Sequence, residues 1–176
     1  MAKEIEKILE DQSLDMKVAY IDGDDLLPKI SDLTKLGEDF TNIDKNIALN
    51  ESGLMPITAN AYLGAWGIKE ALDLGADIVI CPRVTDAAVV IGPAAWKFQW
   101  KRNNYDALAG ALAAGHIIEC GCQATGGNYS FFKEVSNFDN IGYPIAEIFE
   151  DGSFHITKHP HTCLLYTSDA ADDQLG

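Results

Sequence analysis

Basic residues are few in this chain. It has 13 Lys+Arg against 27 Asp+Glu over 176 residues, a formal charge of −14. A nucleic acid is held through Lys and Arg contacts to phosphate, so this balance argues against such a partner. It argues equally against an anionic membrane surface. Long apolar runs are missing too, and none approaches the ~20 residues of a spanning helix. The start, Met1-Ala2-Lys3-Glu4-Ile5-Glu6, lacks the apolar core of a signal peptide. Cysteine is sparse, with 4 residues that form no spaced disulfide framework, which favours a reducing, cytoplasmic setting. There is no Walker loop, no dinucleotide fingerprint and no EF-hand spacing. What is present is 47% hydrophobic and 23% charged residues, the composition of one globular domain with a core.

The hydrophobic pattern predicts an α/β fold: a partial, mostly parallel sheet flanked by helices, with a β-hairpin near 145–157. Ile5, Ile8 and Leu9 mark a short amphipathic helix over 3–12. Met16 to Ile21 reads as a strand, and Asp22-Gly23-Asp24-Asp25 as the turn that caps a helix from Leu26 to about Leu36. Residues 37–56 are polar and turn-rich, with a short strand expected at 47–49. A helix to about Leu74, capped by Asn60 and striped by Ile68, Ala71 and Leu72, ends at Gly75. The apolar run 76–81 is then a parallel strand. Residues 87–98 read as helical, with Pro93 predicting a kink or break. Tyr105 to Ile118 is the strongest helix, its inner side drawn through Leu108, Ala111, Leu112 and Ile118. Asp151-Gly152 between two alternating runs marks the hairpin.

Three loops, Asp22-Gly23-Asp24-Asp25, Arg83-Val84-Thr85-Asp86 and the Ala59-Asn60-Ala61-Tyr62-Leu63-Gly64 entry, follow expected strands or lead into helices, and those after the strands lie where α/β sheets bind ligands. In Arg83-Val84-Thr85-Asp86, the arginine suits a carboxylate or phosphate because guanidinium donates two parallel hydrogen bonds. The alternative there is a surface ion pair with Asp86 capping the next helix. Asp22, Asp24 and Asp25 are either turn and capping groups or a cation site. The richest stretch is 115–128. Its glycines, with Gly110 before them, are the type required where backbone approaches a ligand. His116 and Glu119 stand i, i+3 on one helix side, able to act as acid and base or simply to satisfy a helix end. Gln123 adds a polar side chain, and Gly126-Gly127 could form a backbone anion nest. Cys120 and Cys122 read as buried small residues before a redox pair.

The segment Cys163-Leu164-Leu165-Tyr166-Thr167-Ser168-Asp169-Ala170-Ala171-Asp172 reads as the in-frame translation of a transposon-based sequencing adapter. Residues 163–176 are therefore set aside as an artefact of sequencing, and 1–162 are taken as the natural part.

Several motifs occur in order: Lys17-Val18-Ala19-Tyr20-Ile21-Asp22-Gly23-Asp24-Asp25, Ala59-Asn60-Ala61-Tyr62-Leu63-Gly64, Gly75-Ala76-Asp77-Ile78-Val79-Ile80, Arg83-Val84-Thr85-Asp86, Gly115-His116-Ile117-Ile118-Glu119-Cys120-Gly121, Gln123-Ala124-Thr125-Gly126-Gly127 and Thr157-Lys158-His159-Pro160. Together they resemble the N-terminal domain of the acyclic terpene utilisation protein A family, from about residue 17 to Thr162. The resemblance implies a longer parent, with a glycine-rich segment before the position of Met1 and a Thr-Gly-Gly after Thr162, so that 1–162 would be an internal slice of one domain. It implies breakdown of acyclic terpenes and related branched acids, in the company of acyl-CoA carboxylase genes. The expected ligand is a small carboxylate or acyl-CoA, and the expected partners are carboxylase subunits or a second copy of the chain. The resemblance leaves the cofactor unknown. Site-loop membership carries over to Asp24, Asn60, Arg83, Asp86, His116, Glu119 and Gln123. Two function classes follow: a catabolic enzyme, or a non-catalytic scaffold beside a carboxylase. A metal-dependent lyase is a third.

Overall fold

A computed structural model describes residues 1–119, 121–135 and 138–162. The expected adapter segment and Cys120 lie outside the described residues. The fold is α/β, as the pattern predicts. Helix α1 (Ala2–Asp11) precedes β1 (Val18–Tyr20), and a 3-10 turn (Leu27–Lys29) runs into α2 (Ile30–Lys35). A short α3 (Leu49–Ser52) is followed by α4 (Trp66–Asp73), β2 (Ile78–Ile80), α5 (Ala88–Lys97) and α6 (Tyr105–Glu119). The hairpin β3 (Pro144–Ile148) and β4 (Phe154–Lys158) closes the described part.

Strands β1 and β2 pair in parallel, Val18 opposite Ile78 and Tyr20 opposite Ile80. Gly75 supplies the turn between α4 and β2, at φ +80°, a region in which a side chain is strained. Lys17 fixes the register from below. Its amide donates to Asp77 Oδ2 at 2.8 Å and its ammonium to the Leu74 carbonyl at 3.1 Å, at the C-terminal end of α4.

The helices pack through small residues. In α5, Gly92 lies so close to α4 that a Cβ there would meet Ile68 Cβ at 2.7 Å. On the α6 side, Ala94, Ala95, Trp100, Ala107 and Ala111 form one buried cluster, with Trp66, Phe98 and Ile148 packed around it. The second cluster, Ala65, Ile68 and Ala88, joins α4 and α5 to Ile21, Leu72, Cys81 and Val84 beside the sheet. Trp100 Nε1 donates to the Glu150 carbonyl at 2.8 Å and so ties the hairpin to this core. Asp151 holds the hairpin turn, accepting from the Ser153 amide and hydroxyl, which lower its carboxyl pKa below the ordinary 3.8.

Four expectations need correction. The strand at 47–49 is not formed; the chain closes a local loop there, with the Asn42 amide on the Ile47 carbonyl at 2.9 Å, and enters α3. Pro93 does not break α5, which continues from Ala88 to Lys97. Proline forfeits one helical hydrogen bond, and the close packing of α4 and α6 on either side holds the helix together. The expected inner side of α6 holds in part: Ala111 is buried and Leu108 packs against the core cluster, but Leu112 is exposed, and Ala107, Ala114 and Gly115 are buried instead. At Gly115 an added Cβ would meet Ala87 Cβ at 2.8 Å, so α5 approaches closely there and the larger Leu112 faces out. Asn60 caps no helix, because α4 begins at Trp66.

Candidate functional site

The three predicted loops are stitched together at the carboxyl ends of β1 and β2. The segment 59–63 is the stitch. On one side the Leu26 amide donates to the Ala59 carbonyl and the Ala61 amide to the Asp24 carbonyl, both at 2.8 Å, forming an antiparallel bridge between Asp25 and Asn60. On the other side the Leu63 amide donates to the Arg83 carbonyl at 3.0 Å and the Thr85 amide to the Leu63 carbonyl at 2.9 Å, a parallel bridge between Leu63 and Val84. The extended segment between Pro56 and Gly64 thus crosses the sheet edge and fixes both loops against each other.

Side chains follow from that backbone. Asn60 Nδ2 donates to Asp24 Oδ2 at 2.9 Å. Asp25 Oδ1 accepts from the Leu27 amide at 3.0 Å, which closes the turn locally. The expected helix cap by Asp24 or Asp25 does not form, because Leu26 and Lys29 precede the 3-10 turn and α2 and no side chain caps either. The Arg83 guanidinium carbon stands 5.5 Å from the centre of the Tyr62 ring, a cation–π contact worth about 0.5–1 kcal/mol at an exposed site. Asn60, Tyr62, Pro82 and Arg83 line an open cleft of about 560 Å³. Tyr62 is the residue that motif reading left without a role; its place two residues after Asn60 on an extended segment was the available signal, since i and i+2 share a side.

The expected alternative for Arg83 does not form. Among the described residues the ion pairs are Lys35–Asp32 and Lys69–Asp73. Asp86 does not cap α5 either, since the residue before that helix is Ala87 and no side chain caps it. The Ala88 amide is met instead by the Thr85 carbonyl at 2.8 Å. Asp22, Asp24 and Asp25 do not gather as a cation site: no group of three or more His, Cys, Asp or Glu among the described residues could hold a metal.

His116 and Glu119 lie exposed on the last turn of α6. The structure brings that turn to the same end of the fold. A Cβ on Gly115 would meet Ala87 Cβ at 2.8 Å, and Ala87 directly follows Asp86. The end of α6 therefore packs on the start of α5, next to the Arg83–Asp86 loop.

The stretch 121–127 is knit into the protein. Gln123 is buried in a 3-10 turn, Gly121–Gln123. The Gly126 amide donates to the Gln123 carbonyl at 3.0 Å and the Gly127 amide to the Cys122 carbonyl at 2.8 Å. An anion nest needs amides that point at the ligand, and these two are already engaged. Thr125, fully buried, places its hydroxyl 2.7 Å from the Gly142 carbonyl and 3.0 Å from that of Cys122. The glycines here are required by neighbouring protein atoms: a Cβ on Gly121 would meet Tyr143 at 2.3 Å, and one on Gly127 would meet Cys122 Sγ at 2.5 Å. By contrast, Gly23 and Gly64, which border the cleft loops, have nothing within 4 Å of an added Cβ.

The family model described as acyclic terpene utilisation family protein AtuA matches residues 1–175. The chain belongs to this family. The acyclic terpene utilisation assignment agrees with the ordered motifs, and the stitched loops 22–25, 59–64 and 83–86 are three of them. No curated protein matches the chain, and no solved structure does. No helix among the described residues is long and apolar enough to cross a membrane.

Proposed function

We propose that this family member is a catabolic enzyme that binds the anionic end of a branched carboxylate or an acyl-CoA at Arg83. The observation that supports this is the Asn60–Tyr62–Pro82–Arg83 cleft at the carboxyl ends of two parallel strands, the edge at which α/β sheets bind ligands. Tyr62 orients the guanidinium from one side and leaves its donors for a ligand. The Asp24–Asn60 hydrogen bond holds the opposite loop in place. His116 and Glu119, one helix turn from the Ala87 contact, are the groups we assign to proton transfer, with Asp86 between them and the cleft in sequence order.

The role of Arg83 is tested by titrating the chain with a short branched carboxylate. Arg83→Gln keeps the side chain polar but removes its charge and one arm of the fork. Affinity should fall about 10–100-fold, the worth of a hydrogen bond to a charged group. Stability should stay within about 0.5 kcal/mol, as for an exposed side chain away from the core. Equal affinity in wild type and variant overturns the assignment. Turnover of a branched acyl-CoA thioester, lost in both His116→Ala and Glu119→Ala, separates the enzyme from a scaffold that binds but does not react.

A further inference from the structure

A second cavity, of about 570 Å³, lies between the 27–35 helical segment and the stretch 49–56. Its walls are mainly apolar: Leu27, Ile30, Leu49, Leu54 and Pro56 line it. The Leu49 amide donates to the Asp39 carbonyl at 3.0 Å, which closes one end, and Gly53 at φ +68° turns the chain back over it. Leu54 is 73% exposed, so apolar surface continues to the rim. The volume falls in the range of small-molecule pockets, about 300–1,000 Å³. It is too small for the face of a partner domain.

One charged residue lines this cavity, Asp39. Its Oδ1 accepts from the Thr41 amide at 3.1 Å. The Thr41 contacts lower its carboxyl pKa below the ordinary 3.8, so it is an anion at neutral pH. A carboxylate at the rim of an apolar pocket repels acids and attracts cations. The whole chain, at −14, adds to that preference. We propose that this cavity binds a small aliphatic molecule with a cationic head, a primary alkylamine, with its chain against Leu27, Ile30, Leu49, Leu54 and Pro56 and its ammonium against Asp39. The site takes the opposite charge from the Arg83 cleft and does not depend on it.

The test compares hexylamine, 1-hexanol and hexanoate, titrated calorimetrically into the full chain at low and high salt. These share one chain length and differ only in the head. Hexylamine should bind about threefold to fivefold more tightly than hexanol, the size of an exposed ion pair, with hexanoate weakest. Raised salt should narrow the gap, since an exposed pair is screened. Asp39→Asn should bring hexylamine to the level of hexanol while leaving hexanol unchanged. Ser31→Trp, placed on the exposed wall of the same cavity, should abolish binding of both without unfolding the chain. Hexanoate binding as tightly as hexylamine, hexylamine binding that survives Ser31→Trp, or no heat with any of the three overturns the proposal. So does self-association of the free chain that Ser31→Trp disperses, which would make a second copy the occupant.

Discussion

Replacing Trp100 with alanine is expected to destabilise the fold by about 4 kcal/mol, the largest single effect in the chain, as for other buried aromatics truncated in a core. Trp100 is 5% exposed and stacks on Phe98 with ring centres 5.4 Å apart. It sits in the cluster formed by Ala94, Ala95, Ala107 and Ala111, whose methyl groups cannot move in to refill the space. Its indole also holds the Glu150 carbonyl at 2.8 Å, so truncation leaves the hairpin turn without its tie. Trp100→Phe separates the two contributions. It keeps most of the packing and loses the donor, with an expected loss of about 1 kcal/mol for the hydrogen bond, beyond the smaller ring. Urea unfolding monitored by far-UV circular dichroism reads both values. A loss under about 1 kcal/mol for Trp100→Ala would show that the helix–hairpin junction is not a tightly packed core.

The second large effect has the opposite sign from the one helix propensity predicts. Gly110 lies in the middle of α6, where an exposed glycine replaced by alanine gains about 1 kcal/mol. Here the added Cβ would stand 1.9 Å from the Gly152 carbonyl oxygen, a backbone atom that cannot rotate away. Gly152 is itself constrained, at φ +87°, and a Cβ on it would reach Ala107 Cα at 2.3 Å. Helix and hairpin turn therefore meet backbone to backbone. Gly110→Ala should destabilise the protein by about 3 kcal/mol, the upper part of the usual range for overpacking. Gly64→Ala is the control, because nothing lies within 4 Å of its Cβ. Its stability should change by no more than about 0.5 kcal/mol. Thermal melts of the two variants decide the matter, and a Gly110→Ala protein more stable than wild type would contradict the docking.

Local chemistry made the elements readable. Alternation and Asp151-Gly152 define the hairpin, Gly75 stops α4, and the continuous apolar run before Pro82 gives β2 its parallel character. Two errors have one source. Bulk marks the inner side of most helices and so puts Leu112 on the α6 stripe beside Leu108 and Ala111, yet α5 approaches α6 so closely that Ala107, Ala114 and Gly115 take the remaining inner positions and Leu112 faces out. Periodicity alone cannot report the distance between two helices. Asn60 precedes a helix by a few residues, the place of a cap, but it bridges to Asp25, a partner 35 positions earlier that no local pattern points to.

The glycines carry the same lesson for the site. Those at 110, 115, 121, 126 and 127 do mark close approach, as their chemistry requires. What approaches is Gly152, Ala87, Tyr143, Val135 and Cys122 of the same chain. The loops that converge on open space are 22–25, 59–64 and 83–86, each legible as a motif and each placed at a strand end. Their meeting depends on the 59–63 stitch, made by backbone groups whose partners are far apart in sequence.

The most direct test of the sheet-edge site is a two-dimensional ¹H–¹⁵N spectrum of the full chain titrated with a short branched carboxylate. The account predicts saturable shifts of the Asp24, Ala61, Leu63, Arg83 and Thr85 amides and of the Arg83 side-chain Nε–H, all with one dissociation constant. Shifts confined to residues 121–127, with the 24, 61–63 and 83–85 signals unmoved, would contradict it.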